Sequence, residues 1–94
     1  MKKSKKPENK NLFLVCREYW YDKINSGAKT KEYGQVTDHY TQLLFKKKYE
    51  TITLARAYTK TQMRFKISSI KKVNAPNDLN LPEVYEISLG ERIF

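Results

Sequence analysis

Apolar and polar positions change their period several times along the chain, and each change marks an element. Leu12-Phe13-Leu14-Val15-Cys16 is an unbroken apolar run of strand length. Apolar side chains on both of its faces predict a strand in the middle of a sheet. From Arg17 to Ser26, Tyr19, Trp20, Lys23 and Ile24 recur at helical spacing and Gly27 follows as a stop, which predicts a helix. Lys29 to Tyr33, bracketed by Gly27 and Gly34, predicts a second strand. Thr37 or Asp38 can cap a second helix that runs through Phe45 and buries Tyr40, Leu43 and Leu44.

The second half switches to a period of two. Between Glu50 and Tyr58, Ile52 and Leu54 alternate with Thr51 and Thr53, a half-buried strand. Met63, Phe65 and Ile67 then alternate with Arg64, Lys66 and Ser68, so the fourth strand carries one apolar and one basic face. Asn74 to Pro82, with two Pro, three Asn and an Asp, reads as a loop, and Val84 to Leu89 as a fifth strand. The order β-α-β-α-β-β-β predicts an α+β fold. Its form is a small β-barrel or a curved, mostly antiparallel sheet of about five strands, with two helices at one side. Residues 1–11 lack periodic apolar positions and read as a flexible basic arm, a nucleic-acid tether or a solubilising tail, ahead of one domain over residues 12–94.

Charge sharpens this picture. The 94 residues carry a net charge of +9, a positive field that favours anionic partners. Its distribution is segregated: +4 over residues 2–10, zero over 11–42, +8 over 43–72 and −3 over 73–94. The longest uncharged apolar run is far short of the ~18 residues of a membrane-spanning helix. The stretch after the basic start, Pro7-Glu8-Asn9-Lys10-Asn11, lacks the apolar core of a secretory signal. A cytoplasmic protein without a membrane partner is expected. One Cys and one His offer neither a disulfide nor a zinc site, and no cofactor or metal is expected.

Gly27-Ala28-Lys29-Thr30-Lys31-Glu32 shows Gly-x-Lys-x-x-Glu directly after an amphipathic helix, and this resembles the signature of the ASCH family, relatives of the PUA RNA-binding fold. Tyr21-Asp22-Lys23-Ile24-Asn25-Ser26 looks like the helix end before that motif, Val36-Thr37-Asp38-His39-Tyr40 like the helix start after it, and Tyr49-Glu50-Thr51-Ile52 like the opening of the next strand. Tyr58 sits where small phage-type members often end that strand in Gly-Tyr. The likeness covers roughly residues 12–70, with a matching final strand at 84–89. It implies a small PUA-like β-barrel with a cleft, RNA-related binding and, in some members, hydrolysis of a modified nucleoside or cleavage of RNA. The residues it implies for the cleft are Lys29 and Glu32, with Thr30 as a nearby hydroxyl. Gly34 departs from the pattern, because the family usually carries Arg there, and Ala57 stands where Gly is common. Arg56, in phase with Ile52 and Leu54, is placed to replace the missing cation.

The residues themselves weigh differently. Amide hydrolysis needs an activated nucleophile with a base in reach, and a Lys serves when burial and a positive neighbour lower its pKa. Lys29 and Glu32 are the pair on offer. On a regular strand they point to opposite faces, so a strand-edge ion pair is the plain alternative. His39 in a first helical turn reads as surface, and Cys16 in an apolar strand as core. Trp20 reads as core as well, with one of Tyr19 and Tyr21 exposed.

Seven Tyr, four Phe and one Trp among 19 basic residues suit a surface that stacks bases and neutralises phosphates. Lys46-Lys47-Lys48 fits that surface, and fits equally a helix C-terminus whose dipole favours cations. Arg64 and Lys66 on one strand face, with Lys60 in the adjoining turn and Lys71-Lys72 beyond, form the strongest basic patch.

The expectation is a non-enzymatic, basic ASCH-like protein that binds RNA or an RNA-containing protein complex, with Lys29 and Arg56 contributing from the cleft. The compact Lys- and Asn-rich chain also looks like a phage or mobile-element product. An inhibitor of a bacterial CRISPR or other nucleic-acid-based defence nuclease, an anti-CRISPR, is a specific form of that expectation. The alternatives are a hydrolase acting on RNA or a modified nucleoside such as acylated cytidine through Lys29, Thr30 and Glu32, and a module whose positive face meets an acidic protein partner.

Overall fold

A computed structural model describes residues 10–94. The expected basic arm lies outside these residues except for Lys10, which pairs with Glu50 at 3.4 Å, and Asn11, which already belongs to the first strand. The elements follow in the expected order: β1 (Asn11–Cys16), α1 (Glu18–Asn25), β2 (Lys31–Gln35), α2 (Asp38–Phe45), β3 (Thr51–Arg56), β4 (Gln62–Val73) and β5 (Val84–Arg92). They form one curled five-stranded sheet, ordered β1-β3-β4-β5-β2, with two helices. Only β1 and β3 pair in parallel, and the other three pairings are antiparallel.

β1 is therefore an edge strand and not the mid-sheet strand that its unbroken apolar run predicts. Leu12 and Cys16 point into the core, whereas Phe13 and Val15 on the opposite face are exposed. The core itself is the inner face of the sheet: Leu12, Cys16, Ile52, Leu54, Met63, Phe65 and Ile87 pack with Tyr21 and Ile24 of α1 and Leu44 of α2. Burying such side chains stabilises a fold by roughly 1.5–3 kcal/mol each. In β4 the register slips between Phe65 and Ile67 and again before Ser69, a bulge that bends the strand and tightens the curl. Gly90 sits against this bend, where an added Cβ would lie 3.3 Å from the Lys66 carbonyl oxygen.

Two local devices position Lys29 and the start of α2. α1 ends in a Schellman turn: Gly27 adopts φ +86°, its N–H donates to the Ile24 carbonyl at 3.0 Å and the Ala28 N–H donates to the Lys23 carbonyl at 3.0 Å. The Lys29 N–H also donates to the Lys23 carbonyl, at 3.2 Å, so Lys29 is held before β2 begins. α2 is capped by Thr37, not Asp38, since the Thr37 Oγ1 accepts from the Tyr40 N–H at 3.1 Å.

Among the described residues no helix is long and apolar enough to cross a membrane.

Candidate functional site

Curling brings the two sheet edges, β1 and β2, to a common cleft of about 360 Å³. Val15 and Arg17 line it from the β1 side, Glu32 and Tyr33 from β2, Trp20 from α1, Tyr40 from α2, and Asp78 with Leu79 from the loop before β5. That loop is stapled by Asn77. Its side-chain nitrogen donates to the Ala75 and Leu81 carbonyls at 2.9 and 2.8 Å, and its oxygen accepts from the Leu79 N–H at 3.0 Å. Asp78 is thereby fixed at the cleft.

Lys29 does not line the cleft but pairs with both carboxylates that do. Its ammonium lies 3.1 Å from Glu32 and 2.9 Å from Asp78 and donates to the Lys31 carbonyl, with the Trp20 and Tyr33 rings 5.3 and 5.4 Å away. The Asp78 contact is an ion pair without hydrogen-bond geometry. Lys29 and Glu32 meet because β2 starts at Lys31, so the alternation of a regular strand does not separate them. Their side chains are 11% and 14% exposed. Burial pulls the Lys29 pKa down, but the two carboxylates outweigh it and raise the pKa above the ordinary Lys value. The ammonium keeps its proton at neutral pH and is held by two hydrogen bonds and the Asp78 ion pair. A free amine that could act as nucleophile or base needs the opposite surroundings. Thr30 is exposed and does not line the cleft. Cys16 beneath the cleft is 1% exposed, and burial together with neighbouring Glu32 pushes its thiol up to about 12, so no thiolate forms there.

Two expectations about this cleft are corrected. Arg56 does not enter it: its guanidinium reaches back to α1, donating from Nε and Nη2 to Asp22 at 3.0 and 3.1 Å and pairing with Glu18 at 3.6 Å. These partners hold its charge and hold the Asp22 pKa below its ordinary value through the hydrogen bond. The space of the missing cation beside Gly34 is filled by Tyr40, whose ring would sit 3.0 Å from a Cβ added at Gly34. The cation that lines the cleft is Arg17, which the sequence does not single out. Trp20, expected in the core, packs against it partly buried and also lines the cleft.

The basic residues of the second half do not form one patch. Among the described residues, eight of nine carboxylates pair with cations, so the surplus charge rests on the cations outside those pairs. Lys46, Lys47 and Lys48 follow the C-terminus of α2, and the last two line a groove with Phe45, Ser68 and Ser69. Lys72 pairs with Glu83 at 3.8 Å, and Lys71 lies opposite Glu86, remote in register from Arg64. Lys60 is exposed in the β3–β4 turn.

Arg64 and Lys66 do share the outer face of the sheet. Lys66 forms an exposed pair with Glu91 at 3.0 Å. Arg64 donates to Thr53 Oγ1 at 2.8 Å and stacks on Phe94, 5.1 Å from the ring centre. The backbone after β5 keeps that ring in place, since the Arg64 N–H donates to the Phe94 carbonyl at 3.0 Å and the Ile93 N–H to the Arg64 carbonyl at 2.7 Å. The register places Phe13 beside Thr53 and Thr53 beside Arg64. A row therefore crosses the outer face as ring, guanidinium and ring, with the Thr53 hydroxyl buried where Arg64 is anchored and Phe13 and Phe94 both about half exposed. Sequence reading finds Arg64 through alternation but misses both rings. Phe13 is disguised by the apolar run, and Phe94 lies beyond the last periodic strand.

Among the described residues no group of three or more His, Cys, Asp and Glu is arranged to hold a metal ion. No family model matches the chain, and neither a curated protein nor a solved structure matches it significantly.

Proposed function

We propose that the protein is a non-catalytic, ASCH-like module that binds RNA, free or within a ribonucleoprotein, across the outer face of β1, β3 and β4. The observation that carries this reading is the row Phe13, Arg64 and Phe94. Exposed rings flanking a guanidinium on an open sheet are what bases and phosphates need, stacking surface and a fixed cation side by side. Lys66 adds a charge, because its exposed pair with Glu91 is worth little and yields readily to a phosphate. Lys60 adds another at the hairpin tip. An inhibitor of an RNA-guided defence nuclease is the special case in which the RNA is already held by protein.

The Lys29 cluster supports the non-catalytic side of the reading, as a charged ammonium paired with two carboxylates ties β2 to the loop before β5 instead of reacting. Two variants test the reading. Arg64→Glu should weaken binding of a short RNA at ~50 mM salt by tenfold or more, whereas Lys71→Glu should change it much less. Equal losses would mean that the face is wrongly chosen. Turnover of acylated cytidine by the unaltered protein, abolished in Lys29→Ala, would instead establish the hydrolase.

A further inference from the structure

Where β1 leaves the sheet, its outer face opens into a groove of about 500 Å³ lined by Val15, Arg17, Tyr19, Ala57 and Tyr58. Val15 shares the outer face with Phe13, one strand repeat away, so the groove continues the ring-bearing row described above. Tyr58 is its unusual member. It stands at the third position of the β3–β4 turn with φ +63°, a left-handed conformation that favours Gly or Asn, and its side chain is 98% exposed. A bulky residue there strains the backbone without returning any packing, and such an outlier points to function. The turn that carries it is well tied. The Thr59 N–H and hydroxyl both donate to the Arg56 carbonyl, at 3.1 and 2.9 Å, and the Ala57 N–H donates to the Cys16 carbonyl at 2.9 Å. The ring is thus presented by an ordered backbone.

The surroundings indicate what the ring meets. Val15 and Tyr19 are exposed at 67% and 61%, and Lys23 covers one face of Tyr19 at 5.4 Å. Arg17 and Lys60 pair with no carboxylate among the described residues, and the one carboxylate lining the groove, Glu18, is engaged by Arg56. An apolar groove that holds the uncommitted Arg17, on a chain of net charge +9, repels a second copy and suits an aromatic anion. We infer that this groove takes one unpaired nucleobase of the bound RNA, stacked on Tyr58 against Val15 and Tyr19, with its phosphate at Arg17. The inference deepens the RNA reading and rests on it: the outer face binds the strand, and the groove selects strands that offer an unstacked base.

The test compares the full chain with Tyr58→Gly, on a 12-nucleotide single-stranded RNA and on a 12-base-pair RNA duplex. Glycine relieves the strain at a positive φ, so the variant should melt no lower than the parent protein. Its affinity for the single strand should nevertheless fall about 5- to 150-fold, the range for loss of one base-stacking ring, with duplex binding unchanged. A 2-aminopurine in the single strand should be quenched by the parent protein and not by the variant. RNA binding that is intact but insensitive to Tyr58→Gly overturns the groove assignment and leaves the outer-face reading standing. Failure of the parent protein to bind either RNA overturns both readings and points to an acidic protein as the occupant.

Discussion

Gly34 shows how one atom decides whether a site is open. The ring of Tyr40 lies only 3.0 Å from where a Cβ would be, so the space next to β2 is taken by an aromatic side chain of α2. Gly34→Arg is therefore expected to create no ligand site and to destabilise the fold by about 1–3 kcal/mol through overpacking, measured by urea denaturation. A stable variant that gains ligand affinity would show that Tyr40 moves aside. Cys16 and Lys29 give a pH prediction. The Cys16 thiol is pushed from 9.0 to about 12 by burial and by Glu32, so the folded chain holds a proton that the unfolded chain releases above pH 9. Its contribution is complete below pH 9 and declines as the pH rises towards 12. Lys29, also raised, acts in the same direction above its ordinary value of 10.5, as do Tyr21 and Tyr40 above 10.0. Stability measured in urea should accordingly fall from pH 9 upward, and Cys16→Ala should flatten the fall between pH 9 and 10. A curve flat from pH 7 to 10.5 would contradict this.

At the scale of elements, the strands and helices were legible because their periodicity is strong: Thr51 to Leu54 and Met63 to Ile67 alternate cleanly, and Gly27 stops α1 where its turn requires a left-handed residue. Sheet order was not legible. An apolar run predicts burial on both faces, yet Phe13 and Val15 of β1 stay exposed, because no alternation rule separates a buried ring from one kept for contact. The cleft was half legible. Gly-x-Lys-x-x-Glu gave Lys29 and Glu32, whereas Asp78 comes from a loop with no period to read, held by the side chain of Asn77 and by the ion pair to Lys29. Arg56 carried the opposite error, since strand phase places it inward and only the tertiary structure shows the carboxylates of α1 within reach. Arg56→Ala should loosen α1, seen as faster hydrogen exchange in Glu18–Asn25, and should lower RNA affinity far less than Arg64→Glu, through the Glu18 carboxylate it frees at the groove. A large loss of RNA binding with α1 still protected would put Arg56 on the binding surface.

For the whole molecule, the partition of charge matters more than the total of +9. Carboxylates neutralise Lys29 next to the cleft and Arg56 against α1, and the outer face retains Arg64 with its two rings. Binding on such a face combines stacking, which tolerates salt, with phosphate neutralisation, which does not. The most direct test is the affinity for a short single-stranded RNA measured from ~50 to ~200 mM salt, for the unaltered protein and for Arg64→Ala. Log affinity should fall linearly with log salt, and the variant should bind more weakly with a slope smaller by about one, the signature of one lost phosphate contact. An affinity that stays constant across this range, or an unchanged slope and affinity in Arg64→Ala, would contradict RNA recognition by this face.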